Sequence, residues 1–394
     1  MHEDTLFAKT PWVKRTGELV DHRLFSDEWL NGEAPGVNYE LKPVVNPKTG
    51  EEMPDCYYAV VTLNNPRQFN SYTTAMVKGV ISAITNASLD RRVKAVVFTG
   101  TGDMAFCTGG NTEEYSSFYA LRPEEYMTYM QLFIMMVDSI LNCYKPVICR
   151  INGMRVAGGQ EIGMACDWSY ASDLAIIGQA GPRHGSAAVG GSSDFLPHML
   201  SAELAMESCL ACEMWSAYKM RHLGLIMDAF PVLRRGDEWI VNPTVITEEY
   251  VRAGKVVLGE PKTGDELKAG YALIKQARNP DDDEIVIDFA RLDAAVVAKV
   301  WQLTHLFPGC ERQTFMQIRS QKAATWNQLK HLHAMWLGPN QMFEGAAGFA
   351  AFANRKATGR VDQIDWAALH GAISRGEMVD AELFAKILPH PPKE

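Results

Sequence analysis

Residues 145–167 read KPVICRINGMRVAGGQEIGMACD, and the order of residue types in this stretch decides the architecture. Residues 146–151 are a short apolar run with the texture of a buried strand. Ala157-Gly158-Gly159 follows a few residues later, and residues 161–166 begin a helix. A glycine pair after a strand lets backbone N–H groups approach a ligand with no Cβ in the way. The N–H groups and dipole at a helix start favour negative charge. A tight turn uses glycines equally well, so this pair alone does not define a site.

Upstream, the same design occurs once more. Val96-Val97-Phe98-Thr99-Gly100 is a short buried strand, followed by Phe106-Cys107-Thr108-Gly109-Gly110-Asn111. Further out, residues 57–63 form a β-rich run closed by the turn signal Asn64-Asn65-Pro66. Residues 74–87 carry apolar positions at helical spacing, 123–142 read as a long helix, and 173–178 as another short strand. Strands and helices alternating at this rhythm predict an α/β fold with short buried strands. Residues 1–55, rich in Pro, Gly and charge, are expected to form an N-terminal extension ending in a hairpin turn around residues 47–50. The core then spans 56–233. Charge runs at 234–238 and 279–284 bracket a segment, 234–290, expected to be an irregular surface insertion. Residues 291–394, including LDAAVVAKVWQLTHLF and GAAGFAAFAN, predict a C-terminal helical region.

The 394-residue chain has 47% hydrophobic and 22% charged residues, an ordinary globular composition. A net charge of −9 argues against a nucleic-acid partner. The N-terminus lacks the pattern of a signal peptide, and no run approaches the ~18 apolar residues of a membrane span, so no membrane partner is expected. The eight cysteines have no framework spacing, which predicts free thiols in a reducing, cytoplasmic setting.

Four ordered segments resemble the crotonase (enoyl-CoA hydratase/isomerase) superfamily. Phe106-Cys107-Thr108-Gly109-Gly110-Asn111 is similar to its F-x-x-G-[AG]-[DN] segment. Asn152-Gly153 through Gly158-Gly159-Gln160-Glu161, then Ala165-Cys166-Asp167, resembles N-G-x-x-x-G-G-x-E…C-D. Asn64 to Asn70 fits its N-x-P-x-x-x-N turn, and Gly348-Phe349-Ala350-Ala351-Phe352 resembles its C-terminal helix. The resemblance implies a spiral of ββα units with a C-terminal helical trimerisation region, and a homotrimer or homohexamer. It implies that the N–H groups of Gly110 and Gly158 hold a thioester oxygen as it becomes an enolate, and that Glu161 activates water. Each such donor is worth roughly 3 kcal/mol of barrier. An acid complementing the helix dipole is the alternative for Glu161.

Simple hydratases of the superfamily carry a second carboxylate after a G-Q-P motif, where this chain has Gly181. The run GQAGPRHGSAA (178–188) instead resembles a branch that makes or breaks carbon–carbon bonds in cyclic β-keto thioesters, and retention of Glu161 favours its ring-opening members of anaerobic aromatic degradation. Such an enzyme adds two waters to a cyclic acyl-CoA thioester and needs no cofactor or metal, coenzyme A being part of the substrate. Attack on the ring ketone makes a second oxyanion. His184 and Ser186 are the candidate donors, with Asp194 to orient them. A loop-packed histidine and a turn serine are their alternatives. By family position, Arg67, Phe69 and Thr108 lie near the CoA portion, while Arg67, Arg355 and Lys356 are the candidates for its phosphate. Tyr115, Tyr119 and Tyr126 line the acyl pocket or form a core stripe.

Cys209-Leu210-Ala211-Cys212 lacks a partner pair for zinc. His331-Leu332-His333 places its imidazoles on different helix faces and makes a poor metal clamp. The rivals to a ring-opening hydrolase are a hydratase of a cyclic dienoyl-CoA, a naphthoyl synthase-like enzyme and a non-catalytic acyl-CoA-binding scaffold.

Overall fold

The computed structural model describes residues 9, 10, 12 and 36–391. Most of the expected N-terminal extension (1–8, 11 and 13–35) therefore lies outside the described residues. The extension's last part is a hairpin. β1 (Val37–Val45) runs antiparallel to β2 (Glu52–Leu63), across a turn in which Gly50 N donates to Asn46 O at 2.8 Å.

Two sheets share the core strands alternately. The larger sheet runs β1-β2-β3-β5-β7-β10, with β3 (Val93–Gly100), β5 (Val147–Ile151), β7 (Trp168–Ser172) and β10 (Asp228–Phe230) all parallel to β2. The smaller runs β4-β6-β8-β9, built from β4 (Ala105–Cys107), β6 (Met154–Val156), β8 (Ile176–Gly178) and an antiparallel β9 (Met214–Ser216). Each turn of chain thus lays one strand in the large sheet and the next in the small one, then crosses back through helix. This is the expected spiral of ββα units.

The helices of the spiral are α1 (Thr74–Leu89), a three-residue α2 (Thr112–Glu114), α3 (Pro123–Leu141), α4 (Gly158–Ala165), α5 (Ser192–Met199), α6 (Ala202–Cys209) and α7 (Ala217–His222). The Thr73 side chain caps α1 by accepting from Met76 N at 3.3 Å. β3 has buried residues on both faces, as the parallel strands of a covered sheet require. The expected strand over 173–178 is shorter, because Asp173 anchors a turn. Its Oδ2 accepts from Asn242 N at 2.7 Å and from the Tyr218 hydroxyl at 3.3 Å.

The segment 234–290 is not irregular, which corrects the reading from charge runs. It holds β11 (Leu233–Arg235) and β12 (Glu238–Ile240), a hairpin of β13 (Tyr250–Arg252) and β14 (Lys255–Val257), then α8 (Gly264–Ala277) and β15 (Val286–Ile287), which pairs with β11. Its charges are partly paired with the core: Arg278 Nε reaches Asp103 Oδ2 at 2.6 Å, and Lys219 Nζ reaches Glu260 Oε1 at 2.8 Å.

The C-terminal region is helical as expected. α9 (Ala290–Leu303) lays Leu292, Val296, Val300 and Leu303 on the large sheet against Ala95, Val97 and Ile148. The long α10 (Pro308–Asn340) crosses α3, and α11 (Glu344–Ala353), α12 (Trp366–Ser374) and α13 (Ala381–Ile387) form a smaller apolar cluster.

Candidate active site

Two motif asparagines build the ground on which the glycines sit. Asn70 Nδ2 donates to Ala105 O at 2.7 Å and Asn152 Nδ2 to the same oxygen at 2.8 Å. Asn152 Nδ2 also reaches Gly102 O, while its Oδ1 accepts from Gly100 N at 3.2 Å. The link between β3 and β4 is thereby held from both sides.

Beyond β4, Tyr72 N donates to Gly109 O at 2.9 Å and Asn111 N to Tyr72 O at 3.0 Å. The intervening Gly110 amide takes no part in this bridge. Gly158 is the first residue of α4, where an N–H has no intrahelical acceptor. Neither amide has a backbone acceptor among the described residues. The two glycine pairs abut: a methyl group built on Gly109 would stand 2.9 Å from Gly158 N. On Gly110 it would overlap the Tyr115 hydroxyl, and on Gly158 the Tyr72 hydroxyl. The turn into α4 passes through Ala157 at φ 52°, ψ −127°, a conformation L-residues seldom adopt.

All of α4 is buried, including Glu161 at 7% exposure, one turn beyond Gly158. Its carboxylate rests on the Gly190–Gly191 turn, accepting from Gly190 N and from the Ser192 amide and hydroxyl. A methyl group on Gly190 would overlap Glu161 Oε2. Desolvation, and then the neighbouring Asp194 charge, push Glu161 up to about 8. Burial likewise raises Asp194 to about 7. Asp194 Oδ1 faces His333 Nε2 of α10 at 3.5 Å, without a hydrogen bond, and burial lowers His333 to about 4. At neutral pH the imidazole is uncharged. The site therefore has two buried carboxyls side by side although Gly181 supplies none.

Five tyrosines pack together beside the glycine site. The Tyr115 and Tyr129 hydroxyls share a hydrogen bond at 2.6 Å, with Tyr126 edge-on to Tyr115 at 5.5 Å. Tyr119 is packed in the same cluster, but its hydroxyl turns away to Thr74 Oγ1 at 2.7 Å, so of the expected pocket tyrosines it faces the core. Tyr72 stacks on Phe133, centroids 5.9 Å apart. Burial holds the phenols of Tyr72, Tyr115 and Tyr129 well above their ordinary value, so they are neutral donors.

No hydrogen bond joins His184, Ser186 and Asp194 among the described residues. His184 ends a 3-10 turn (Gly181–His184) and packs edge-on against Phe352 of α11, centroids 5.0 Å apart, with Nδ1 buried and unpartnered. Ser186 N closes that turn on Gly181 O at 3.0 Å. Asp194, in the first turn of α5, faces His333 of α10. Thr108 Oγ1 donates to Phe69 O at 3.3 Å, and Arg67 is exposed beside them, so these three share one outer edge of the glycine site. Reading the sequence missed Tyr72, Tyr129, Ser192 and His333. It also missed Gly190-Gly191, although this third glycine pair before a helix was a visible signal.

An α/β spiral in which two amides lacking acceptors meet a buried carboxyl defines a class of acyl-CoA enzyme, and a family model for enoyl-CoA hydratase/isomerase matches residues 58–251. The chain belongs to this enoyl-CoA hydratase/isomerase (crotonase) family. More particularly, it is 52% identical to a 6-oxocyclohex-1-ene-1-carbonyl-CoA hydrolase from Syntrophus aciditrophicus, over 96% of this chain and 98% of that one. It is 47% identical to a protein of the same name from Thauera aromatica, over 94% and 95%. Among solved structures, an enoyl-CoA hydratase/isomerase from Xanthobacter autotrophicus Py2 shares the fold at TM-score 0.58 and 18% identity, over 87% of this chain and 99% of that one.

Proposed function

We propose that this protein hydrolyses 6-oxocyclohex-1-ene-1-carbonyl-CoA by adding two waters, first across the ring double bond and then at the ring ketone, giving 3-hydroxypimeloyl-CoA. The observation that carries this reading is that the two glycine pairs abut at Gly109 and Gly158, with the Gly110 and Gly158 amides free of backbone acceptors and the buried Glu161 carboxyl one helical turn beyond Gly158. Relatives of nearly full length carry the name of this activity.

In the first half-reaction, ionised Glu161 takes a proton from water as the oxygen bonds to the ring β-carbon. Charge arrives on the thioester oxygen, where the two amides receive it, and the α-carbon is then protonated. In the second half, water adds to the ketone carbon. Collapse of the adduct breaks the bond to the α-carbon and expels the thioester enolate into the same pair of amides. One hole serving two enolates is the physical reason for a single site. The outer edge formed by Arg67, Phe69 and Thr108 is assigned to the CoA moiety, and no cofactor is required.

We assign the oligomer as a homotrimer or a dimer of trimers. α10 leaves Ile318, Leu332, Met335 and Trp336 exposed, and a second copy would cover such residues. Light scattering at the mass of one chain would refute it. The catalytic reading is tested by incubating the protein with the keto-enoyl thioester and following product mass. A gain of two waters is expected. A final gain of one water would support the hydratase alternative, and tight binding without turnover a non-catalytic acyl-CoA binder.

A further inference from the structure

A second oxyanion, on the ring ketone, is created in the ring-opening half of the proposed reaction, and the amides of Gly110 and Gly158 are occupied with the thioester. We propose that the Tyr72 hydroxyl is the donor that receives the ketone oxyanion. The inference rests on the ring-opening reading above and goes beyond it by naming the group.

Position is the first argument. In a β-keto thioester the two oxygens are separated by only three carbon atoms, so a donor for the ketone oxygen must stand immediately beside the donors for the thioester oxygen. Tyr72 satisfies this at both ends of the residue. Its backbone bridges the strand carrying Gly110, through Tyr72 N to Gly109 O and Asn111 N to Tyr72 O. Its hydroxyl lies over Gly158, where a methyl group would overlap it. One side chain thus spans the gap between the two amides.

Availability is the second. Tyr72 is 2% exposed, yet its hydroxyl has no hydrogen-bond partner among the described residues. The Glu161 charge is near enough to act on this phenol, so the hydroxyl and the proposed base belong to one site. The other phenols are engaged: Tyr115 with Tyr129 and with Tyr126, and Tyr119 with Thr74. His184 stands against Phe352 on a different element. Stacking on Phe133 and the backbone bridge fix the ring in advance, which is the preorganisation an oxyanion donor needs.

The step balances on these groups alone. Glu161 takes a proton from water, the water oxygen bonds to the ketone carbon, and the carbonyl π pair moves onto the oxygen held by Tyr72. The C=O bond then re-forms as the bond from that carbon to the α-carbon breaks, its pair becoming the thioester enolate. The α-carbon takes the proton back from Glu161, leaving a carboxylic acid and a regenerated carboxylate. Tyr72 donates a hydrogen bond throughout and keeps its proton.

The test is Tyr72→Phe in the full-length protein, with species gaining one and two waters resolved by mass over time. The variant retains the ring that stacks on Phe133. Ring opening should fall by about 100- to 1,000-fold, the usual cost of one oxyanion donor, while the first hydration stays within several-fold, so the one-water species accumulates. Ring opening at nearly the parent rate would overturn the proposal. So would an equal loss of both steps, which would mark a structural role. If the unmutated protein itself never yields the two-water product, the ring-opening reading fails before Tyr72 is in question.

Discussion

Glu161 must be ionised to take a proton from water, and its surroundings oppose ionisation. With its carboxyl pushed up to about 8, the rate should climb as pH rises toward 8 and level off above it, whereas an ordinary glutamate would already be fully ionised at pH 6. Glu161→Gln should lower turnover by about 100-fold or more. Near-normal turnover in the folded variant would dismiss Glu161 as the base. Asp194→Asn removes the neighbouring like charge, so the rising limb of the pH–rate profile should move to lower pH, and an unmoved limb would mean the two carboxyls do not interact. Gly190→Ala should displace the carboxylate on which its methyl intrudes, cutting kcat while leaving the folded signal intact. At this scale Gly110, Gly158 and Glu161 were legible because they are adjacent in sequence to the strands that position them. His333 was not. Asp194, which it faces, is supplied by a helix far away in the chain, and no local pattern announces such an approach.

The long α10 was legible as helix within the C-terminal region, but what its inner face binds was not. Its inward stripe is largely polar. Arg319 pairs with Asp167 through Nε at 2.7 Å and donates to Lys145 O at 2.9 Å. Lys322 donates to the carbonyls of Met164, Ala165 and Cys166 at 3.1, 2.8 and 2.7 Å, satisfying the open C-terminal end of α4. Trp326 Nε1 and Lys330 Nζ both reach Asp138 of α3, and His333 completes the row. These positions recur at three- and four-residue intervals, so one face of α10 clamps α3, α4 and α5 together through polar groups. Arg319→Met would leave Asp167 buried and unpaired, at a cost of about 3–5 kcal/mol, measurable as a lowered denaturation midpoint. α4 was hard to delimit because every residue in it is buried, so it has no polar face to set a period. β7, with the sequence WSYAS, lacks the β-branched run that would have marked it as a strand.

Across the molecule, burial of acids makes stability depend on pH in an unusual direction. Glu161 is pushed up to about 8, and Asp194, Asp173 and Glu114 to about 7, each first of all by desolvation. Between their ordinary values and these raised ones, the folded chain keeps protons that the unfolded chain has released. The stability these groups contribute is complete below about pH 4 and declines as pH rises through 7 to 8. His333, lowered to about 4, acts in the other direction, losing its contribution as pH falls from 6.5 toward 4. The melting temperature should therefore peak on the mildly acidic side and be lower at pH 8 than at pH 6, opposite to the trend in rate. A melting temperature that rises from pH 6 to pH 8 would contradict the buried-acid account.

The alternation of strands between two sheets has a consequence for how such a catalyst can diversify. Gly110 follows β4 closely and Gly158 follows β6, and these two strands are hydrogen-bonded neighbours. The gap between the two donors is thus tied to inter-strand spacing, about 4.8 Å in any sheet, and not to the chain that joins them. That chain includes α3 and most of the tyrosine cluster. It can be rewritten to admit a different acyl group while the span between the amides stays constant, so substrate range and enolate chemistry are free to evolve on separate stretches of the same polypeptide.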